Sequence, residues 1–326
     1  MATGTYPNAA SIVDKTAADK FIPEIWSDEI IAAYKKSLKM APIVKRLQMT
    51  GKKGDVIHIP KPTRGKAFEK AEATAVTIQA DTETDIEVKI DQHFEYSRFI
   101  EDIVEVQALN SMRQFYTDDA GYALASQIDD HLFNAATGFG DGTLTLAPTD
   151  GADWENSNSY MIDGTNGLVN FTDDTMLAAD VFTDQGFRSL IQNLDDADVP
   201  MDNRQFVFPP VLRNTLMGIE RYVSSEFRPD QTVKTGFIGS VYGIELYVSS
   251  NAPVMETVAQ NGAASGVASR ACLLFHSDAL VLAEQMAVRS QTQYMLDYLS
   301  TLYTADTLYG VQAYRPEAGL ILAVPA

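Results

Sequence analysis

The chain has 326 residues, 45% of them hydrophobic and 21% charged, with a formal net charge of −19. That is the composition of an ordinary globular protein with enough residues for a substantial core, in two domains or one elaborated one. The single cysteine, Cys272, excludes an intramolecular disulfide framework and a cysteine-based zinc site, and an isoelectric point near 4.5 argues against a general nucleic-acid binder.

The charge is divided unevenly along the chain. Residues 1–70 hold thirteen Lys and Arg against seven acids, a net of +6, while the remainder holds twelve against thirty-seven, a net of −25. A basic arm on an acidic body is self-complementary, so copies of such a chain attract one another.

Residues 1–20 are small and polar, lack the apolar segment of a secretory leader, and are expected to form an extended arm. From Phe21 the spacing of Ile22, Ile25, Trp26, Ile30, Ala33 and Tyr34 predicts a short amphipathic helix ending near Met40, with Lys35, Lys36 and Lys39 at its C-terminal end. Two alternating segments, Asp55–Pro60 and Asp85–Ile90, predict strands flanking a basic stretch broken by Pro and Gly. Paired, they would make a ribbon projecting about 35 Å. An isolated ribbon is marginal in water, so a partner surface is expected to cover it.

Residues 102–136 predict a long helix, with Met112, Tyr116, Ala120, Leu124, Ile128 and Leu132 recurring every fourth position. The stretch 138–174, rich in Gly, Asn, Asp and Thr, predicts an inserted surface loop or small β-excursion. A mixed α/β region follows. Helices are predicted at 185–194 and 211–222, strands at 205–208, around Gly243, at 287–303 and at 308–324, and a buried strand or strand–helix at 271–281. The longest apolar stretch, Ala271–Val288, is interrupted by His276, Asp278 and Glu284, and no membrane span is expected.

No catalytic, cofactor-binding or metal site is expected. His58, His93, His131 and His276 are dispersed without a ligand spacing, and His58 is expected to face solvent from its strand. Gly138–Gly142 lacks the Lys-Ser/Thr ending of a phosphate loop, and Asp195-Asp196-Ala197-Asp198 reads as a solvated loop after a helix. Cys272, within Ala271–Phe275, reads as a small buried hydrophobe.

Several segments together resemble one family. Phe21-Ile22-Pro23-Glu24-Ile25-Trp26-Ser27, Ala41-Pro42-Ile43-Val44 and Gly54–Pro60 are similar to the start of a tailed-phage major capsid protein of the short-tailed podovirus type. Leu273–Leu280 and the closing Leu308–Ala318, with its Tyr314-Arg315-Pro316 run, resemble the same family. The resemblance spans nearly the whole chain through the order of its elements. It implies an α+β HK97-like capsid fold with an N-arm (1–50), an extended β-hairpin E-loop (51–95), a P-domain with the long spine helix and the inserted loop (96–180), a mixed α/β A-domain (181–285), and return strands (286–326).

The function it implies is a major capsid protein, not an enzyme. Such a protein self-assembles as hexamers and pentamers into an icosahedral shell around double-stranded DNA, which it does not bind sequence-specifically. Scaffolding and portal proteins are the implied partners, without a membrane, and the implied location is the virion after assembly in the host cytoplasm. Inter-subunit contacts are expected at the E-loop tip (Lys61, Arg64, Lys66, Lys70) and in the N-arm (Trp26, Lys35, Lys36, Lys39). Some members of the family cross-link an E-loop lysine to an asparagine of the return segment. No Asn occurs here after Asn261, so a non-covalent shell is expected. Two alternatives remain at this point: an encapsulin-type nanocompartment holding protein cargo, and an acidic α/β enzyme.

Overall fold

A computed structural model describes residues 38–49, 54–61, 65–76, 78, 84–102, 112–148, 151–164, 167–171, 177, 180–219, 222, 239–255 and 267–325. The expected helix over 21–40 lies almost wholly outside these residues. So do Trp26, Lys35, Lys36 and Arg64.

The core is a mixed sheet built from the most continuously apolar segments. Strand β11 (Ser269–His276) lies near its centre, antiparallel to β14 (Gly319–Pro325) on one side and to β7 (Arg204–Phe208) on the other. Ala271–Phe275 and Ile321–Leu322 are fully buried, Cys272 among them. A strand covered on both faces has no polar side to present, which is why these runs do not alternate. Beyond β14 come β5 (Ser159–Ile162) and β6 (Leu168–Asn170). Beyond β7 come β9 (Ile244–Val248) and β8 (Ser240–Val241), and β10 (Val254–Met255) pairs with β11.

Helix α2 (Asp184–Asp196) starts at Thr183, whose side chain accepts a hydrogen bond from the Gly186 N–H at 3.2 Å, and it buries Phe187, Leu190 and Leu194. Phe187 packs on Phe206 with ring centroids 5.1 Å apart. Helix α3 (Pro210–Gly218) follows β7 directly, Pro210 supplying a first turn that needs no N–H donor. This helix stops short of the expected Tyr222.

Of the two forms expected for the stretch 138–174, a surface loop or a small β-excursion, the structure has the second, and it is part of the core. It supplies β5 and β6 to the core sheet and buries Trp154, Met161 and Ile162. Its polar residues serve as internal ties. Asn158 donates to the carbonyls of Pro316 and Gly319 (3.2 and 2.9 Å), and Asn156 donates to the Thr137 carbonyl (3.1 Å). Buried polar groups with partners are stable there, and loop-like composition hides a core element.

The second sheet has the order β1 (Lys45–Gln48), β12 (Leu280–Met295), β13 (Ser300–Ala313), β4 (Gln92–Glu101). Helix α1 (Met112–Asn134) packs on it and follows the four-residue spacing seen in the sequence: Ala120 and Leu124 meet Tyr303 and Ala305, while Ile128 and Leu132 join the main core. Twenty-three residues make this helix about 34 Å long. It ends two residues before the expected end at 136 and gives way to a 3-10 turn at Ala135–Gly138; residues 103–111 lie outside the described set.

Strands β2 (Val56–Lys61) and β3 (Thr84–Lys89) pair antiparallel as a separate ribbon, from Val56↔Lys89 to Lys61↔Thr84. This is the pairing the alternation predicted. Its ladder of six pairs spans about 20 Å. The expected cover by a partner surface is in part supplied by the chain itself. Val88 is fully buried with Ile90 against Val281 and Ala283, and Ile57 and Ile59 pack on the same cluster. Gly310 of β13 permits the crossing, because a Cβ there would lie 2.1 Å from the Lys89 carbonyl oxygen.

Candidate inter-subunit surfaces

Among the described residues, two exposed surfaces project from the body. The first is the ribbon and the segment beyond it. The Gln285 side chain holds the Gly54 carbonyl (2.9 Å), and the Ile90 N–H donates to Asp55 (2.8 Å), so the base is fixed to the body. Residues 65–76 carry no strand and are exposed throughout, with Phe68 and Val76 both open to solvent.

The expected contact residues separate here. Lys66 and Lys70 lie on this exposed segment. Lys61 closes β2, and its Nζ lies 3.8 Å from Glu317 Oε1 of its own chain. That pair borders a cleft of about 670 Å³ between ribbon and body, lined in part by Pro60, Ile86, Val199, His276 and Arg315.

Lys39 sits where the N-terminal segment meets the body. Its N–H and that of Met40 donate to Asp129 Oδ1 on α1 (3.1 and 2.8 Å), and Asn251 donates to Asp129 Oδ2 (3.1 Å). Asp129 is fully buried, and its desolvation raises the carboxyl pKa above the ordinary value despite these hydrogen bonds. One side chain thus ties three parts of the chain together.

The second surface was not anticipated. The long β12–β13 hairpin leaves the core at its bulges between Glu284 and Arg289, so that buried Leu280–Ala283 give way to exposed residues. At its turn Leu296 is 77% and Tyr298 69% exposed, beside exposed Leu299 and Phe99. The Phe99 and Tyr298 rings lie 5.8 Å apart, and Tyr294 donates to Asp102 Oδ2 (2.7 Å), which organises the tip. Leu299 has φ of +45°, a region unfavourable for a bulky side chain. A turn under selection for stability alone would place Gly or Asn there and polar residues around it. The turn breaks the expected strand 287–303 into β12 and β13, and the apolar run Tyr294-Met295-Leu296 before Tyr298-Leu299 was the available signal. A contiguous apolar patch of this kind marks an interaction surface.

The polar groups singled out in the sequence lie apart. His276 accepts from the Asp278 N–H, and His131 bonds Tyr309 in the core, where burial lowers its pKa. His93 meets Asp306, which also takes two bonds from Arg289 at 2.8 Å; these hold the Asp306 carboxyl below its ordinary value, Arg289 contributing most. His58 is exposed, as expected, and lies 2.6 Å from Asp85 with Glu87 beside it. Asp195 is not merely solvated: it pairs at 2.7 Å with the buried Arg204 guanidinium, which also caps the Val199 carbonyl.

Among the described residues no helix is long and apolar enough to cross a membrane. No protein-family model matches the sequence, and no curated protein does. Solved structures do match it along almost all of its length. The capsid structure of cyanophage P-SCSP1u is 16% identical with a TM-score of 0.71, covering 94% of both chains. A structure from Mycobacterium phage Che8 is 22% identical with a TM-score of 0.69, covering 93% of this chain and 97% of that one. The mature capsid of bacteriophage PhiM1 is 14% identical with a TM-score of 0.66, covering 93% and 91%. The chain therefore has the α+β fold of phage capsid subunits.

Proposed function

We propose that this protein is the major capsid protein of a tailed phage, self-assembling as hexamers and pentamers into an icosahedral shell around double-stranded DNA. The observation that carries the reading is coverage: capsid structures of phages match this chain over 93–94% of its length. A subunit that projects a basic ribbon segment and an apolar hairpin tip from an acidic body has the means to bind copies of itself.

The two surfaces contribute differently. Each exposed ion pair made by Lys66 or Lys70 is worth about 0–1 kcal/mol and weakens with salt. Burying a Leu or an aromatic side chain at the hairpin tip contributes about 1.5–3 kcal/mol. Apolar contacts supply strength, while the charges set register and reversibility during assembly. The acidic remainder would repel packed DNA and let it move without adhering.

The shell is held non-covalently in this reading, since Val288–Tyr298 offers no Asn to a lysine of the ribbon. Scaffolding and portal proteins are the proposed partners, with assembly in the host cytoplasm. Expression of the chain alone and with a virion extract, followed by negative-stain microscopy, tests the reading. Closed particles that hold DNA when assembled with the extract, and that run as monomer in denaturing electrophoresis, are expected. A monomer at every concentration would refute it.

A further inference from the structure

The ribbon packs Ile57, Ile59 and Val88 on the body, and its other face, where Asp85 and Glu87 border a cleft with Leu144, Gln312 and Tyr314, brings three exposed metal-ligating side chains together. His58 of β2 stands directly opposite Glu87 of β3, and the neighbouring pair on that face is Pro60 with Asp85. Residues two apart on a strand share a face, and pairs one step along an antiparallel ladder remain within side-chain reach. One donor atom from each of His58, Asp85 and Glu87 lies within 4.8 Å of the others, and His58 Nδ1 is 2.6 Å from Asp85 Oδ2. Ile57, Ile59 and Val88 on the opposite face are packed on the body, so the ribbon cannot turn this cluster away from solvent.

We propose that this face binds one zinc-class divalent cation per subunit, with His58, Asp85 and Glu87 as its protein ligands. Zinc takes nitrogen and carboxylate oxygen at about 2.0–2.2 Å in a tetrahedron, which places donors roughly 3.3 Å apart. Small side-chain rotations bring the three donors to that spacing, and the fourth position is left for water. An imidazole with two carboxylates suits Zn²⁺ and Co²⁺, whereas Mg²⁺ and Ca²⁺ prefer shells made wholly of oxygen. The two carboxylates balance the ion's charge; Lys89, next on the same face beyond Glu87, is the nearby cation that opposes binding. An ion held by both strands would staple β2 to β3 on the face opposite the one packed on the body. The inference rests on ribbon geometry and does not depend on the capsid reading.

The test is titration of the full-length protein, first stripped with a chelator, with ZnCl₂ by calorimetry and with CoCl₂ by visible absorption. One ion per subunit is expected, with cobalt bands of a four- or five-coordinate site. His58→Ala and Glu87→Gln should each weaken binding at least tenfold, and Lys89→Ala should leave it equal or tighter. All three residues are exposed, and circular dichroism of each variant confirms that it is folded. Zn²⁺ should also slow amide exchange at 56–61 and 84–89. Absence of binding, equal affinity in His58→Ala, or equal preference for Mg²⁺ would overturn the proposal.

Discussion

Replacing Asp129 by Ala tests the junction between the N-terminal segment, α1 and the core sheet. The substitution strands two donors that are buried, Met40 N–H and Asn251 Nδ2, and a third, Lys39 N–H, that water can reach. An unsatisfied buried donor costs about 1–3 kcal/mol, and removing a buried charge returns part of that, so a net loss of about 2–4 kcal/mol is expected. Asp129→Asn separates hydrogen bonding from charge. Its Oδ1 can still accept from both backbone groups, and its NH₂ can donate to the Asn251 Oδ1, a buried oxygen that has no partner in the parent, once that amide turns over. A loss of about 1 kcal/mol or less follows.

The pH dependence follows from the same site. Burial raises the folded-state pKa of Asp129 above its ordinary value near 3.8, so ionisation of this group opposes folding. Its contribution is fully present below the unfolded value and is lost as pH rises through the folded one. Asp129→Asn cannot ionise and lacks this dependence, so its deficit relative to the parent should shrink as pH rises through that window. Urea unfolding of the parent and both variants at several pH values measures all of this. Equal midpoints for Asp129→Ala and the parent would refute the reasoning.

Other substitutions separate folding from assembly. Leu296→Asp with Tyr298→Asp should leave unfolding within about 0.5 kcal/mol of the parent, because both side chains are exposed. If the tip is a contact, particle yield by sedimentation should nevertheless collapse; normal particles would remove it from the interface. Gly310→Ala should cost about 2 kcal/mol or more in thermal unfolding and loosen the ribbon, since the new methyl meets the Lys89 carbonyl. Unchanged stability would show that β13 and the ribbon can separate freely. Arg64→Glu with Lys66→Glu should block or misdirect shell formation while leaving the subunit soluble, as judged by sedimentation and size exclusion. Normal particles would exclude the basic segment as a determinant of assembly.

Much of the fold was legible because local pattern and burial agree. Alternation in Asp55–Pro60 and Asp85–Ile90 identified the ribbon, and the four-residue spacing from Ala120 to Leu132 identified the face of α1 that is buried. The uninterrupted run Ala271–Phe275 identified a buried segment, compatible with strand or strand–helix, that lies within strand β11. Most of the misses originate in pairing between residues distant in the sequence. Asn156 and Asn158 read as loop residues because their carbonyl partners, at Thr137 and Pro316, are invisible to local pattern. Arg204 gave no sign that it would be buried against Asp195. His58 and Asp85 are 27 residues apart, and only the ribbon register makes them neighbours, so a search for ligand spacing along one element passes over them. The hairpin tip was missed for another reason: its apolar residues fit a core strand equally well until the turn is placed.

Single-particle cryo-microscopy of the expressed protein tests the central claim most directly. Self-assembly through the two projecting surfaces predicts closed shells of hexamers and pentamers, with residues 54–90 of one subunit lying across its neighbour and the 296–299 turn buried between subunits. Dispersed monomers at every concentration, or shells in which both surfaces remain in solvent, would contradict it.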